Sequence, residues 1–172
     1  MKTADVIIVG SGASGLFNAL FLPQDYKVIV ITKKEVEESD SFLAQGGISA
    51  LKNPEDYDSY FEDTMKAGHY ENDKGAVEKM IKESPQIIQD LKDFGVRFDL
   101  KDGEIEFTRE GGHSTFRILH HEDLTGKEIT SHLYEEAKKR DNITIMENCT
   151  MIDIIEKDGE CKGIVYKDAD GN

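Results

Sequence analysis

The sequence has 172 residues, which is enough for one domain with its own hydrophobic core. Hydrophobic residues make up 38% and charged residues 33%, and the apolar run Val6 to Val9 is far shorter than the roughly 20 residues of a membrane span. The net charge of −14 argues against nucleic acid and against an anionic membrane surface, since both attract Lys and Arg.

The N-terminus indicates no export, because Met1 to Asp5 lead into a strand without an apolar signal segment. Cys149 and Cys161 fit no metal-binding or redox spacing, and two cysteines are too few for a disulfide framework. We therefore expect a cytoplasmic protein in which both cysteines are reduced thiols in the core.

The first thirty residues predict a βαβ unit. Asp5–Val9 is a short β-branched run, typical of a strand buried on both faces of a parallel sheet. A glycine-rich segment and a helix through Leu16 and Leu20 follow, and Pro23 ends the helix. Lys27–Ile31 repeats the pattern of a buried strand.

A helical period begins at Asn53, a good N-cap followed by proline, and predicts an inserted helical segment at about residues 53–98. Asp73 is predicted to cap a further helix, Ser84-Pro85 to restart it and Gly95 to end it. The side chains expected inside are Tyr57, Tyr60, Phe61, Met65, Val77, Met80 and Ile81.

The remaining elements are one helix and a hairpin. Thr125 to Glu128 reads as a capping box for a helix that ends near Arg140. Three strands follow, at Ile143–Met146, Cys149–Ile155 and Lys162–Lys167. Asp158-Gly159 joins the last two as a hairpin turn. Asp170-Gly171-Asn172 is another turn signal without a following strand, so we expect the chain to be the front part of a longer one.

Together these elements predict an α/β fold: part of a doubly wound, Rossmann-like domain with an inserted helical segment and a C-terminal β-hairpin. The segment Gly10-Ser11-Gly12-Ala13-Ser14-Gly15 follows a strand and opens a helix, the context that identifies a dinucleotide-binding loop. Gly10 permits the tight turn, Gly12 the approach of a diphosphate, and Gly15 the close packing of helix and strand.

Thr32-Lys33 stands at the end of the second strand, where dinucleotide-binding folds usually place an acidic ribose ligand. This difference argues against an ordinary NAD-linked dehydrogenase, which stays an alternative. A hydroxyl and an ammonium group suit a different nucleotide geometry.

Two further segments carry candidate chemistry. Ser41–Ile48 contains two consecutive glycines after a glutamine. Such a segment either lets the backbone approach a flat ring closely or is an ordinary surface loop. Arg109–Ser114, with Arg117, His120 and His121, holds two of the four arginines and three of the five histidines. It is either a site for an anionic substrate, since Arg binds carboxylates bidentately, or a loop of solvated charges.

These segments, in this order, resemble the L-aspartate oxidase family, which belongs to the succinate dehydrogenase and fumarate reductase flavoprotein superfamily. The resemblance extends over the whole chain. Its motifs are Val6–Gly15, Ala44-Gln45-Gly46-Gly47-Ile48, Thr108–Ser114, Arg117-Ile118-Leu119-His120 and Asp123-Leu124-Thr125-Gly126.

The resemblance implies non-covalent FAD, with the diphosphate on the glycine loop. The cofactor contacts implied there are Gly10, Ser11, Gly12, Ala13, Ser14, Gly15 and Lys33. The residues implied to line the flavin ring are Ser41, Phe42, Leu43, Ala44, Gln45, Gly46 and Gly47. Glu110 would orient the substrate's amino group. Respiratory relatives attach the flavin to a histidine at the position of Asp40, which cannot form that bond.

The reaction implied is oxidation of L-aspartate to iminoaspartate, with oxygen or fumarate reoxidising the flavin. Iminoaspartate feeds quinolinate and NAD synthesis, so quinolinate synthase is a candidate partner. In relatives the catalytic arginine, the rest of the FAD domain, a capping domain and a helical domain lie beyond position 172, so we expect these residues alone to be inactive. The alternatives are a fumarate reductase or succinate dehydrogenase flavoprotein, and a nucleotide-binding module without chemistry.

Overall fold

A computed structural model of the chain describes residues 2–171, which form two compact units. Within this range, the terminal unit comprises residues 2–44 and 126–171, and the middle unit comprises Gln45–Thr125. In the part of the chain described, no helix has both the length and the apolar composition needed to cross a membrane.

The terminal unit is built on a three-stranded parallel sheet in the order β1-β2-β8. Its strands are β1 (Val6–Val9), β2 (Val28–Ile31) and β8 (Ile143–Met146). Val6 is in register with Val28, and Val28 with Ile143. The predicted parallel sheet and βαβ unit are therefore confirmed.

The burial predicted for β1 is wrong, although that for β2 is right. All four residues of β2 are buried, because β2 is the central strand. β1 lies at the edge of the three strands, where Ile7 is 36% and Val9 52% exposed. A run of β-branched residues does not distinguish a central strand from an edge strand.

Three helices accompany this sheet: α1 (Ala13–Phe21), α2 (Asp40–Leu43) and α5 (Thr125–Lys138). α1 buries Leu16 and Leu20 and ends before Pro23, as predicted. The predicted capping box of α5 is wrong, because Thr125 is the first helical residue and its hydroxyl accepts from the N–H of His121 (3.1 Å).

The C-terminal hairpin is confirmed: β9 (Thr150–Lys157) pairs antiparallel with β10 (Glu160–Lys167). Asp158 and Gly159 have φ values of 57° and 79°, the left-handed pair that a two-residue turn requires. Both cysteines are free thiols, but Cys161 is exposed on β10, so only Cys149 is the predicted core thiol. The turn predicted at the end of the chain includes Asn172, which lies outside the described residues.

The middle unit contains two long helices, α3 (Tyr57–Ala67) and α4 (Lys74–Asp93). As predicted, Asn53 and Asp73 accept hydrogen bonds from the N–H groups that start these helical segments. The core between the helices consists of Tyr60, Met65, Val77 and Ile81, with Tyr57 and Phe61 packed against it. Met80 is wrongly predicted to be inside; it is 46% exposed.

The predicted restart at Ser84-Pro85 is also wrong, because α4 runs through Pro85 without a break. Proline has no N–H for the carbonyl of Ile81 one turn earlier. The hydroxyl of Ser84 donates to that carbonyl instead (2.7 Å) and accepts from the N–H of Leu51 (2.9 Å). Gly95, with φ +92°, ends the helix as predicted.

Short strands complete the middle unit, and the sequence did not predict them. β7 (Ile118–Leu119) lies between β3 (Ile48–Ser49) and β6 (Phe107–Thr108), antiparallel to both. A separate ribbon pairs β4 (Leu100–Lys101) with β5 (Glu104–Ile105). Two-residue strands are too short for a periodic pattern to be visible in the sequence.

Candidate functional site

A cleft of about 570 Å³ opens at the carboxyl ends of β1 and β2 in the terminal unit. We call it the first cleft. Its lining includes Gly10, Ser11 and Gly12 after β1, and Thr32 and Lys33 after β2. Parallel sheets bind nucleotides at this edge, so the position agrees with the predicted dinucleotide-binding loop.

The surroundings of the three loop glycines restrict the side chains that could replace them. Gly10 has φ +113°, which side chains rarely adopt. A Cβ atom on Gly15 would lie 2.1 Å from the carbonyl oxygen of Gly10, so no side chain fits between the loop and α1. A Cβ atom on Gly12 would lie 2.8 Å from Oγ of Ser41. The loop backbone is therefore left accessible from the cleft.

The N-terminus of α1 offers backbone N–H groups to an anion. Gly12 is the N-cap and has no side chain to cap the helix, and no acidic residue lies in the first turn. The first intrahelical bond runs from the N–H of Leu16 to the carbonyl of Gly12 (3.1 Å). The earlier N–H groups and the positive end of the helix dipole suit a diphosphate.

Ser11 is the residue whose environment most directly indicates a ligand. It is 2% exposed and lines the first cleft, yet no residue in the described range 2–171 hydrogen-bonds to its Oγ. A buried hydroxyl without a partner is costly, and a phosphate oxygen would accept its hydrogen bond. The donor set of this cleft therefore fits the diphosphate of FAD.

The other predicted cofactor residues divide into three groups. Lys33 and Ser41 line the first cleft, as does Asp40. A second group of six residues does not line the first cleft. It consists of the first turn of α1 (Ala13, Ser14 and Gly15) and of residues in or just after α2 (Phe42, Leu43 and Ala44). Sequence reasoning missed Cys149, Thr150 and Met151, which line the first cleft but carry no local signal. Its lining also includes Val9, Ile31, Lys34, Glu35, Glu38 and Ser39.

Gln45, Gly46 and Gly47 line a different cleft, of about 580 Å³, in the middle unit. We call it the second cleft. Five further residues complete its lining: Thr108, Glu110, His120, Glu122 and Asp123. The predicted substrate residue Glu110 therefore shares a cleft with the glutamine and the two glycines.

Glu110 is fixed by the paired glycines. Its Oε1 accepts a hydrogen bond from the N–H of Gly47 (2.9 Å), and a Cβ atom on Gly46 would lie 3.4 Å from Oε2. A Cβ atom on Gly47 would lie 2.4 Å from both Cγ2 of Ile118 and the carbonyl oxygen of Leu119. Both glycines thus let this segment pack against β7 and the carboxylate.

The charges around the second cleft are those of an ammonium site. Its ionisable side chains are Glu110, Glu122, Asp123 and His120, and no Lys or Arg is among the described lining residues. Three carboxylates attract a cation and repel a carboxylate ligand. Arg109 is not in the lining and lies over the ring of Phe116, 5.9 Å from its centroid.

Arg117 is not available to a substrate, so the predicted anion-binding role is wrong for this residue. Its side chain is fully buried, with Nε and Nη2 donating to both carboxylate oxygens of Asp56 (2.8 Å each). Nη1 donates to Asp63 (2.7 Å). Its partners lie 61 and 54 residues away along the chain, so no local sequence pattern indicates them.

The pairing with Arg117 changes the titration of both carboxyl groups. Hydrogen bonding from Arg117 is the main reason that the pKa of Asp56 falls from 3.8 to about 2. Burial acts most strongly on Asp63 and raises its pKa, but hydrogen bonds from Ser114 and Arg117 bring the net pKa below the ordinary value. Arg117 thus ties α3 to the segment that ends in β7.

The chain is similar in sequence to a family of FAD-binding domains and to known L-aspartate oxidases. Residues 5–172 match the protein family described as FAD binding domain. L-aspartate oxidase of Clostridium perfringens is 42% identical over 165 residues, which cover 96% of this chain and 38% of that protein. L-aspartate oxidase of Clostridium acetobutylicum is 46% identical over 160 residues, covering 92% and 37%.

A solved structure of E. coli quinol fumarate reductase has a TM-score of 0.89 and 25% identity, covering 95% of this chain and 29% of that one. The chain spans less than two fifths of the length of each of these proteins. The similarity confirms the resemblance to L-aspartate oxidases, and the chain belongs to the FAD binding domain family.

Proposed function

We propose that this chain forms the FAD-binding part of an enzyme that oxidises L-aspartate to iminoaspartate and passes the electrons to oxygen or fumarate. The proposal is supported by 42% and 46% identity to two L-aspartate oxidases over more than nine tenths of the chain. When bound, FAD supplies the acceptor for the hydride that leaves the substrate carbon.

The residues of the first cleft are proposed to hold the cofactor. Ser11 and the N–H groups of Ala13, Ser14 and Gly15 would donate to the diphosphate, and Lys33 would bind near the ribose. The segment from Ser41 to Gly47 is proposed to line the flavin ring, with Gln45 and the two glycines after it supplying backbone contacts.

The observation that carries the choice of substrate is the second cleft, where Gly47 fixes the carboxylate of Glu110 among further acidic groups. An amino acid carries an ammonium group that such a cleft attracts. Succinate and fumarate carry two carboxylates, as L-aspartate does, but they lack the ammonium group that these charges attract. This difference favours an amino-acid oxidase over a fumarate reductase or succinate dehydrogenase.

Replacing Glu110 by glutamine tests this assignment in the intact protein that contains this chain. Glutamine keeps an acceptor for the N–H of Gly47 but removes the charge. We expect the KM for L-aspartate to rise about 10- to 100-fold, as for a lost hydrogen bond to a charged group, with an unchanged visible flavin spectrum. Glu104→Gln, on the exposed strand β5, is the matched control. An unchanged KM in Glu110→Gln would exclude the role of Glu110.

The mode of flavin attachment separates the oxidase from its respiratory relatives. Asp40 lines the first cleft and has no nucleophilic imidazole to bond to the flavin. We therefore expect acid precipitation of the intact protein to release all of the flavin into solution. Flavin that stays attached to a peptide after proteolysis would favour the fumarate reductase or succinate dehydrogenase alternative.

We further propose that the protein works in the cytoplasm and supplies iminoaspartate to quinolinate synthase for NAD biosynthesis. The free thiols of Cys149 and Cys161 are in keeping with a reducing compartment. An imine hydrolyses in water, which favours a nearby consuming enzyme. Quinolinate should form when the two enzymes share a solution and fall sharply when a dialysis membrane separates them; equal yields would contradict the partnership.

A further inference from the structure

His120 lines the second cleft and has a buried imidazole nitrogen that forms no hydrogen bond within the described residues. Its Nδ1 lies 3.1 Å from Oδ2 of Asp99, whereas its Nε2 is buried and forms no hydrogen bond with any residue of the described range 2–171. His120 lines the same cleft as Glu110. The imidazole nitrogen that is not paired with Asp99 therefore has no partner in the described range, and it belongs to a residue that lines the proposed amine site.

Asp99 is held firmly enough to orient His120. Its Oδ2 accepts from the N–H of Glu122 (2.8 Å), and its own N–H donates to the carbonyl of His120 (2.8 Å). A carboxylate can only accept, so the nitrogen of a neutral His120 that faces it must carry the hydrogen. Nε2 is then left with its lone pair, the arrangement of a base oriented by an acidic residue.

Further carboxylates and one further histidine lie near this pair. His121 lies with Nδ1 3.3 Å from Oδ1 of Asp99. Glu110, Glu122 and Asp123 share the cleft lining with His120. A cationic ligand that enters this cleft therefore meets these carboxylates and the imidazole of His120.

We propose that His120, positioned by Asp99, accepts a proton from the ammonium group of the amino-acid substrate. One N–H bond of the ammonium breaks, its electron pair stays on the substrate nitrogen, and the proton forms an N–H bond at Nε2 of His120. The resulting neutral amine can donate its lone pair as the hydride leaves carbon, which a protonated amine cannot do. This inference rests on the proposed oxidation of L-aspartate.

Replacing His120 by glutamine in the intact, FAD-loaded protein removes the base. A positioned general base contributes about 10²- to 10⁴-fold, so we expect kcat/KM for L-aspartate to fall at least about 100-fold at neutral pH. The loss should shrink as the pH rises, because more of the substrate then arrives already deprotonated. Misfolding would not be repaired by alkaline pH. A loss that is the same at every pH, or no loss, would overturn the proposal.

His132→Gln is the matched control. His132 also pairs with a carboxylate, with Nε2 3.2 Å from Glu128, but it lies on α5 and does not line the second cleft. We expect its pH profile to match that of the unaltered protein. If the unaltered protein does not oxidise L-aspartate at all, the proposed function is contradicted. If it oxidises L-aspartate but His120→Gln shows no pH-dependent decrease in kcat/KM, only this inference is contradicted.

Asp99→Asn tests the positioning role. An asparagine amide can donate to Nδ1, which places the ring hydrogen on Nε2 and blocks proton acceptance. We expect Asp99→Asn to lower kcat/KM for L-aspartate, and this decrease should also become smaller at alkaline pH. Combining Asp99→Asn with His120→Gln should lower kcat/KM little beyond the effect of His120→Gln alone. If the fold-decreases in kcat/KM of the two single variants multiply in the double variant, Asp99 does not act through His120.

Nuclear magnetic resonance of histidine ring nitrogens provides a readout other than turnover. The intact protein, labelled with ¹⁵N-histidine and kept reduced without oxygen, is titrated with L-aspartate or with succinate. The Nε2 signal that His120→Gln removes should move from the unprotonated to the protonated range with L-aspartate only. No movement with L-aspartate, or the same movement with succinate, would contradict the proposal.

Discussion

Ser11 combines burial with an unsatisfied hydroxyl, so its replacement separates stability from ligand binding. Ser11→Ala removes a polar group that lacks a partner in the ligand-free chain, so we expect an unchanged or higher Tm without FAD. The same change removes a hydrogen bond to a charged diphosphate, so the Kd for FAD should rise about 10- to 100-fold, measured by quenching of flavin fluorescence.

Thr130→Val is the control for this prediction. Thr130 also has a buried hydroxyl without a hydrogen-bond partner among the described residues, but it lies on α5 and lines neither cleft. We expect it to raise the Tm without FAD and to leave the Kd unchanged. Equal FAD affinity in Ser11→Ala and the unaltered protein would remove Ser11 from the diphosphate site.

Asp56 makes the stability of the chain depend on pH in the acid range. Because the pKa of Asp56 is about 2 in the folded chain rather than 3.8, its stabilisation is complete above about pH 4 and disappears as the pH falls through about 2. The pKa difference corresponds to about 2 kcal/mol of unfolding free energy. Urea titrations between pH 5 and pH 2 should show this loss.

Asp56→Asn should abolish that part of the acid dependence. It should also lower the free energy of unfolding at neutral pH by about 3–5 kcal/mol, because it leaves Arg117 buried without one of its two carboxylates. Asp58→Asn, an exposed change of equal charge in the first turn of α3, should retain the acid dependence. An unchanged acid dependence in Asp56→Asn would contradict the assignment.

Single residues also show where sequence reasoning stops. The roles of Gly10 and Gly15 were predictable because the turn, the strand and the helix that constrain them are neighbours in the chain. The burial of Arg117 and the contact between His120 and Asp99 depend on residues more than twenty positions away. A histidine or an arginine in a loop has the same appearance in a sequence whether it binds a substrate or an internal carboxylate.

At the scale of elements, α4 shows how one hydroxyl keeps a helix continuous through a proline. Ser84→Ala leaves the carbonyl of Ile81 and the N–H of Leu51 without their partner, so we expect a loss of about 1–3 kcal/mol in unfolding free energy. Pro85→Ala restores an N–H for Ile81. Ser84→Ala should therefore cost about 1 kcal/mol less in the Pro85→Ala background.

A double-mutant cycle by urea unfolding measures this coupling. Strictly additive costs would show that Ser84 does not replace the missing N–H of Pro85. The sequence predicted a helix restart here because local rules end a helix before proline. The helix instead continues because Ser84 bonds to Leu51, 33 residues earlier, and because Ile88 and Leu91 beyond the proline are buried.

The same distinction applies to the strands. β2, β8 and the hairpin of β9 and β10 were predictable from runs of four or more residues and a strong turn signal. The exposure of β1 depends on which strand lies beside it, and β3, β6 and β7 are too short for periodicity. Their pairing nevertheless brings Gly47 against Leu119 and fixes the second cleft.

At the scale of the whole molecule, two clefts of similar volume differ in the cationic groups that they offer. The first, of about 570 Å³, has a helix N-terminus, Lys33 and a Lys34 paired with Glu38, beside Glu35 and Asp40, whereas the described lining of the second, of about 580 Å³, has three carboxylates and no Lys or Arg. In a chain of net charge −14, anion binding in the first cleft therefore depends on the backbone N–H groups and the dipole of α1 and on Lys33. This arrangement suits an anionic nucleotide in the first cleft and an ammonium group in the second.

The central proposal is that this chain serves FAD-dependent oxidation of L-aspartate, and anaerobic reduction of the bound flavin tests it most directly. The intact, FAD-loaded protein is mixed with L-aspartate without oxygen while the visible flavin absorbance is recorded, and succinate is used in parallel. We expect L-aspartate to bleach the flavin and succinate to leave it oxidised. Bleaching by succinate, or flavin that stays oxidised with L-aspartate, would contradict the proposed function.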